Sequence, residues 1–278
     1  MTLPDRKTIS RFPFFVFIFL FFVLSQGFYW TTLGGEFNDT GKGLAFSFAP
    51  VIPVFMGLFA LREQCLRNSR GWTLFFLTLG VLSFMIGEGL WTYYDLVLQV
   101  DPFPSLADLF YSLAYPFFFI GLVNELRNNK LEFKSVSKLL LSSLLLNSLL
   151  IAGVIAYVGI YMAYTPGVGF WENFFALGYG AGDLVLIIMN FFVFFLAWKE
   201  RKEGVTSAWF YFFCAILLSL FADVLFALFE LEHSQKVWPY FQGIDSIWIL
   251  SYLYFAASFF EFRLSCLQKK KGRSKLLA

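Results

Sequence analysis

Apolar stretches of about 20 residues follow one another along this chain, and short polar segments separate them. A helix of about 20 apolar residues spans the hydrocarbon core of a bilayer. The pattern predicts eight such helices, over residues 12–31, 44–62, 72–97, 105–124, 138–163, 173–198, 206–230 and 240–262. Two prolines, Pro50 and Pro53, predict a kink in the second helix. We expect a loop before residue 44 and a disordered basic tail after the eighth helix.

Composition supports a membrane protein. Hydrophobic residues make up 59% of the chain and charged residues 14%, whereas soluble domains carry about 25% charged residues. We therefore expect an all-α integral membrane protein with the lipid bilayer as its first partner. No small-residue cleavage site cleanly follows the first helix, so we expect that helix to be retained. The net charge of +2 gives no indication of a nucleic-acid partner.

Basic residues are distributed unevenly between the two sides. Eight helices place both termini on one side, and 19 of the 21 Lys and Arg residues then fall on that side. Only Lys42 and Lys236 fall on the other. Because cytoplasmic segments are enriched in Lys and Arg, we expect a multi-pass cell-membrane protein with cytoplasmic N- and C-termini.

The third and fourth helices resemble the seventh and eighth. Two sets recur at identical spacing: Glu88, Trp91 and Asp95 match Asp223, Phe226 and Glu230, and Asp108, Tyr111 and Tyr115 match Asp245, Trp248 and Tyr252. We predict two parallel four-helix repeats, 1–137 and 138–264, related by a pseudo-two-fold axis along the membrane normal. Residues 265–278 form the basic cytoplasmic tail.

Acidic residues in the apolar helices are the main candidates for function. Spacing along the helices places Glu88, Asp108, Asp183, Asp223 and Asp245 in the outer half of the membrane, and Glu88 lies about 24 Å along its helix. The inner half is expected to contain no matching acids, only Asn147, Asn190 and small polar groups. Asp183 has no acidic counterpart in the second helix.

Three interpretations of the acids remain open. They hold helices together through hydrogen bonds, or they line an outward-facing cavity for a cation or polar organic molecule, or they form a pathway across the membrane. Aromatic neighbours suit the second interpretation, because a cation is attracted to a ring face. The candidate ligand-binding residues are Glu88, Trp91, Asp108, Tyr115, Asp183, Asp223, Asp245, Trp248 and Tyr252.

Other chemistry has little support in the sequence. Three cysteines without a CxxC pair and a single histidine, His233, do not supply the ligands of a structural zinc site. No nucleophile–base constellation is present either. We expect no metal, no cofactor and no enzymatic activity.

The segment DPFPSLADLFYSLAYPFFFIGL resembles a recurring pattern, P-S-x-A-D-x-[FW]-x-x-x-x-Y-P-x-x-x-x-G-L. This pattern is similar to the multi-helix membrane input regions that precede diguanylate cyclase, PAS or histidine-kinase domains in bacteria and archaea. The matching residues are Pro104, Ser105, Ala107, Asp108, Phe110, Tyr115, Pro116, Gly121 and Leu122. In the second repeat, Asp223, Tyr240, Gly243, Asp245 and Trp248 are similar to the same regions.

The resemblance implies a prokaryotic membrane sensor module. Only the basic tail follows the predicted eighth helix, so we expect no attached output domain. The alternatives are a module that acts alone, one that passes a signal to a separate partner, or one with another role. A transporter of small molecules or cations that uses the same acids is the competing expectation.

Overall fold

The computed structural model describes residues 10–30, 36–64, 68–128, 169–200, 205–229 and 239–276, together with the isolated positions 153, 157, 166, 167, 235 and 237. Helices make up nearly all of these ranges. They are α1 (Arg11–Trp30), α2 (Glu36–Phe48), α3 (Val51–Gln64), α4 (Ser69–Thr92), α5 (Leu106–Asn128), α6 (Phe170–Glu200), α7 (Val205–Leu228) and α8 (Tyr240–Leu276).

Seven spans in the described ranges are long and apolar enough to cross a membrane, with α2 and α3 together forming one of them. The described part of the chain is therefore helical and compatible with a multi-pass membrane protein. The predicted helix over 138–163 lies outside the described residues, apart from the isolated positions 153 and 157.

Proline divides the second span. The helix begins at Glu36, so the prediction of a loop before residue 44 was wrong. It ends at Phe48, and α3 begins at Val51. Pro50 disfavours helical geometry at the residue before it, Ala49, which accounts for the break. Pro53 lies in the first turn of α3, where a missing N–H group leaves no hydrogen bond unmade.

The third span changes from α-helix to π-helix at one end. Asn68 caps the start of α4, because its Oδ1 accepts a 2.7 Å hydrogen bond from the Gly71 N–H. At the far end, α4 continues into a π-helical segment, Tyr93–Leu98, which stops at Gln99 with a φ of 53°. Single turns of π-helix of this kind are frequent at functional sites.

Ser105 and Asp108 form a capping box at the start of α5. The Ala107 N–H donates to Ser105 Oγ (3.1 Å), and the Ser105 N–H donates to Asp108 Oδ2 (2.7 Å). Two backbone donors that the helix leaves free are thereby satisfied. Asp108 thus has a structural role as well as a candidate functional one.

The last helix is longer than its apolar stretch. It runs to Leu276, so the prediction of a disordered tail was wrong. Leu, Gln and Lys favour helix, and Lys270 forms a 2.8 Å ion pair with Glu63 at the end of α3. A contact between Gln64 and Cys266 joins the same two helices.

The packing of the helices against one another determines where the candidate functional residues lie. Helix α4 packs antiparallel on α5, and α7 packs antiparallel on α8. By contrast, α3 runs parallel to α8 and α6 runs parallel to α5, as the contacts Glu63–Lys270 and Tyr115–Asp183 show. Phe118 of α5 and Phe255 of α8 stack in the core, with ring centroids 5.6 Å apart.

The bundle has two chemically different ends. The end that contains Glu88, Asp108 and Asp245 is called the acidic end below. The opposite end, which contains Arg11, Arg70 and Lys270, is called the basic end.

Candidate functional site

All five candidate acids lie at the acidic end, and each accepts a hydrogen bond from an aromatic side chain of another helix. The donors are Tyr111 and Tyr252 to Glu88, Tyr179 to Asp108, Tyr115 to Asp183, Trp248 to Asp223 and Tyr29 to Asp245. A buried carboxyl needs such partners, since an unsatisfied polar group in an apolar interior costs several kcal/mol.

Glu88 joins three helices. Its Oε2 accepts a 2.8 Å hydrogen bond from the Tyr111 hydroxyl of α5, and its Oε1 accepts one from the Tyr252 hydroxyl of α8. Only 3% of Glu88 is exposed, so both oxygens depend on these protein donors. The predicted residues Glu88 and Tyr252 are therefore brought into direct contact.

The two carboxyl oxygens of Asp108 accept different hydrogen bonds, one within the helix cap and one from another helix. Oδ2 belongs to the capping box, while Oδ1 accepts a 2.6 Å hydrogen bond from the Tyr179 hydroxyl of α6. Just 1% of the residue is exposed. The start of α5 is consequently fixed against α6.

Asp183 and Asp223 bring two further carboxyls to the same place. The Tyr115 hydroxyl donates to Asp183 (2.9 Å), and the Trp248 indole donates to Asp223 (3.0 Å). The two aspartates are close enough to interact electrostatically, and Asp223 also interacts with Glu88. Glu88, Asp183 and Asp223, from α4, α6 and α7, are called the acid cluster below.

Asp245 is held by α1. Its Oδ2 accepts a 2.9 Å hydrogen bond from the Tyr29 hydroxyl, which also lies 3.5 Å from the Lys42 carbonyl oxygen. Asp245 interacts electrostatically with Glu88, so it adjoins the acid cluster. The carboxyl itself is buried.

Aromatic rings border the acid cluster. Their edges meet in a series from α2 to α5, called the aromatic arc below. The centroid distances are 6.0 Å for Phe46–Trp248, 5.6 Å for Trp248–Phe226, 6.5 Å for Phe226–Trp91 and 6.4 Å for Trp91–Tyr111. Trp91 and Trp248, both predicted site residues, belong to this arc. Trp91 contributes ring contacts, and Trp248 contributes ring contacts and a hydrogen bond.

Three aromatic donors were missing from the predicted set. Tyr111 and Tyr179 had a signal, because each lies one turn from an acid on its own helix, Asp108 and Asp183 respectively. Tyr29 had no such signal, since 216 residues separate it from Asp245.

The basic end contains buried acids that the sequence interpretation denied. Glu125 accepts from Arg70 (3.2 Å) and from the Thr73 hydroxyl (3.1 Å). Glu261 pairs with Arg11 through two contacts of 2.8 and 2.9 Å. Both glutamates lie in helix: Glu125 is the first residue past the predicted end of the fourth helix, and Glu261 lies in the last turn of the predicted eighth helix. Asn190 is buried in α6, and Asn147 lies outside the described residues.

Within the described ranges, no three His, Cys, Asp or Glu side chains are arranged to hold a metal ion. The site therefore offers hydrogen-bonded carboxyls and ring faces as its chemistry. Comparisons with protein-family models, with curated proteins and with solved structures find no match for this chain.

Proposed function

We propose that this protein is a membrane sensory or ligand-binding module that recognises a small polar or cationic ligand at the acidic end. One observation carries the proposal: the three carboxyls of the acid cluster, two of them buried and that of Asp223 half-buried, come from three helices and accept hydrogen bonds from neutral aromatic donors. Asp223 interacts electrostatically with each of the other two. In the described part of the chain, none of the three forms an ion pair with Lys or Arg.

Positive charge bound at the acid cluster would stabilise it electrostatically. Like charges repel more strongly as the effective dielectric constant falls. For two unit charges 4 Å apart, the repulsion is about 4 kcal/mol when that constant is 20. Phenol and indole donors reduce the cost of burial but do not cancel the repulsion. A bound cation or bound protons would cancel it, and ionisable groups at membrane depth generally mark such sites.

The aromatic arc favours an organic cation among the small ligands. Ring faces within about 6 Å of a cation contribute about 0.5–2 kcal/mol each. Trp91 and Phe226 lie three residues beyond Glu88 and Asp223 on α4 and α7, one turn nearer the acidic end of the bundle. An alkylammonium group would thus meet rings first and carboxyls behind them.

Two features support the predicted pair of repeats. Helix α3 packs on α8 as α6 packs on α5, and α4–α5 packs as α7–α8 does. Positions that the repeat makes equivalent also meet, since Phe118 stacks on Phe255 and Trp91 contacts Phe226. This arrangement is what a pseudo-two-fold axis between units 1–137 and 138–264 would produce.

Parallel helices support an eighth span. Helix α5 ends at the basic end and α6 begins at the acidic end, as the predicted topology of eight spans requires. Eight spans put both termini at the basic end, and the positive-inside rule makes that end cytoplasmic. The resemblance to prokaryotic input regions gives the sensory role, with a separate signalling partner.

Thermal stabilisation by ligands tests the site. Wild type in detergent is screened against alkylammonium ions and a metabolite panel, with sodium chloride at matched ionic strength. We expect a ligand that raises the melting temperature of wild type and has a much smaller effect on Asp108→Asn, Asp223→Asn and Asp245→Asn. Asp39→Asn is the matched control, because its side chain is 51% exposed at the same end. Full stabilisation of the Asp108, Asp223 and Asp245 variants would contradict the site.

A transporter is the second candidate, and the buried glutamates of the basic end favour it. Glu125 and Glu261, each paired with an arginine, add acids at the opposite end of the bundle from the acid cluster. Uptake of a panel ligand into proteoliposomes, driven by a proton or sodium gradient, would select the transporter. Binding without gradient-driven uptake would select the sensor.

A further inference from the structure

We propose that the basic end of the bundle binds the headgroup phosphate of an anionic phospholipid between α3 and α8. The binding surface is formed by Phe55, Phe59 and Arg62 of α3 and by Arg263 of α8, and it is called the α3–α8 seam below. This seam lies at the opposite end of the bundle from the acid cluster, so the inference is independent of the proposed function.

Arg263 is a cation without a carboxylate among the described residues. Its side chain forms no ion pair within the described ranges, and its Nε is buried without a hydrogen-bond partner there. Three acids of the basic end have side chains that the structure describes, and each already pairs with another basic residue: Glu63 with Lys270, Glu125 with Arg70 and Glu261 with Arg11. A half-buried guanidinium in an apolar bundle requires an acceptor, which an anion from outside the chain can supply.

An aromatic ring holds the Arg263 guanidinium in place. Its Cζ lies 5.1 Å from the centroid of the Phe59 ring, which is a cation–π geometry. The 2.8 Å ion pair between Glu63 and Lys270 joins the same two helices farther along. A guanidinium that stacks by its face donates hydrogen bonds through its edge, and the two oxygens of a phosphate accept such bonds as a pair.

Arg263 lies at the depth of lipid headgroups. Helix α8 begins at Tyr240 at the acidic end, and Arg263 lies about 35 Å farther along it at 1.5 Å per residue. The hydrocarbon core of a bilayer is about 30 Å thick. A bundle that spans the bilayer with Tyr240 at one boundary therefore places Arg263 among the phosphates of the opposite leaflet.

Exposed apolar surface lies on the membrane side of Arg263. Phe55 and Phe59 are one turn apart on α3, and their side chains are 55% and 39% exposed. Arg62, which is also exposed, lies one turn beyond Phe59 toward the basic end. From the membrane outward the α3–α8 seam thus presents two rings and then two guanidinium groups. A phospholipid has the matching order, with acyl chains before the phosphate, whereas a free phosphate would use the arginines alone.

Competitive binding of two lipids to the full chain tests the seam. The purified protein in neutral detergent is mixed with equal amounts of phosphatidylglycerol and phosphatidylcholine of the same acyl chains. Native mass spectrometry then measures the ratio of the two lipids in the complex with one bound lipid. One basic residue near a membrane surface changes the affinity for anionic lipid by about fivefold.

We expect wild type to select phosphatidylglycerol, and Arg263→Gln to lower the ratio of phosphatidylglycerol to phosphatidylcholine by about fivefold. Arg62→Gln should lower it by a smaller factor. Arg127→Gln is the matched control, because it removes the same charge from an exposed arginine at the basic end of α5, and it should leave the ratio unchanged.

The same ratio in wild type and Arg263→Gln, or an equal fall in Arg127→Gln, would overturn the inference. If Arg263→Gln does not fold, an unchanged ratio in Arg62→Gln would overturn it, since that side chain is exposed. Glycerophosphoglycerol, the headgroup without acyl chains, is added in excess as a competitor. Persistence of bound phosphatidylglycerol supports a lipid as the occupant, and its displacement overturns that assignment.

Discussion

Glu88 depends on two phenols, and removal of both should cost more stability than the sum of the single losses. Tyr111 and Tyr252 each donate to a different oxygen of this carboxyl, which is 3% exposed. Water cannot readily replace a lost donor at such a position. The prediction is therefore a coupling energy between Tyr111→Phe and Tyr252→Phe.

The expected losses of unfolding free energy follow from the two hydrogen bonds to Glu88. Hydrogen bonds between membrane helices average about 0.6 kcal/mol, with a maximum near 1.7, and those to charged groups reach about 1.5–3 kcal/mol. We expect about 1 kcal/mol for either single variant, since the other phenol remains bound to Glu88. The double variant leaves both oxygens without these donors, so we expect about 3 kcal/mol in total and about 1 kcal/mol of coupling.

Reversible unfolding in mixed micelles, followed by circular dichroism, measures these free energies. Tyr93→Phe is the control, because this tyrosine is 49% exposed near the end of the same span. Single losses below about 0.3 kcal/mol with strict additivity would refute the account. Such values would mean that water reaches Glu88 freely.

Two further predictions concern the basic end and the core. Arg70→Met should destabilise the fold by about 3 kcal/mol, because it leaves buried Glu125 without its cation. Arg11→Met should cost less, since that Arg side chain is 54% exposed, and equal effects in chemical unfolding would contradict this order. A Cβ at Gly80 would overlap the Phe118 ring, whereas one at Gly89 meets open space. Gly80→Ala should therefore lower the melting temperature, and Gly89→Ala should leave it unchanged or raise it through higher helix propensity; a lower melting temperature for Gly89→Ala alone would be the contrary result.

Local patterns in the sequence predicted the elements well where the cause was local. Ser105 and Asp108 are three residues apart, which is the spacing typical of the capping box that the structure contains. Length and hydropathy likewise identified the seven spans of the described ranges. The break in the second span follows from Pro50, although the start of α2 lies earlier than expected.

Such local patterns could not predict the contacts between helices. Tyr29 and Asp245, or Tyr179 and Asp108, meet only because of how each helix is rotated and paired, which no spacing along the chain records. Glu125 and Glu261 were missed for another reason. They lie at the edges of the predicted apolar stretches 105–124 and 240–262, where hydropathy falls, whereas both helices continue beyond these edges and bury the two residues.

We propose that the acid cluster binds a small cation in front of the aromatic arc. Equilibrium binding of radiolabelled tetramethylammonium to the purified protein measures this most directly. We predict saturable binding that Asp223→Asn abolishes and Asp39→Asn preserves. Absence of saturable binding in wild type, or equal binding by wild type and Asp223→Asn, would contradict the claim.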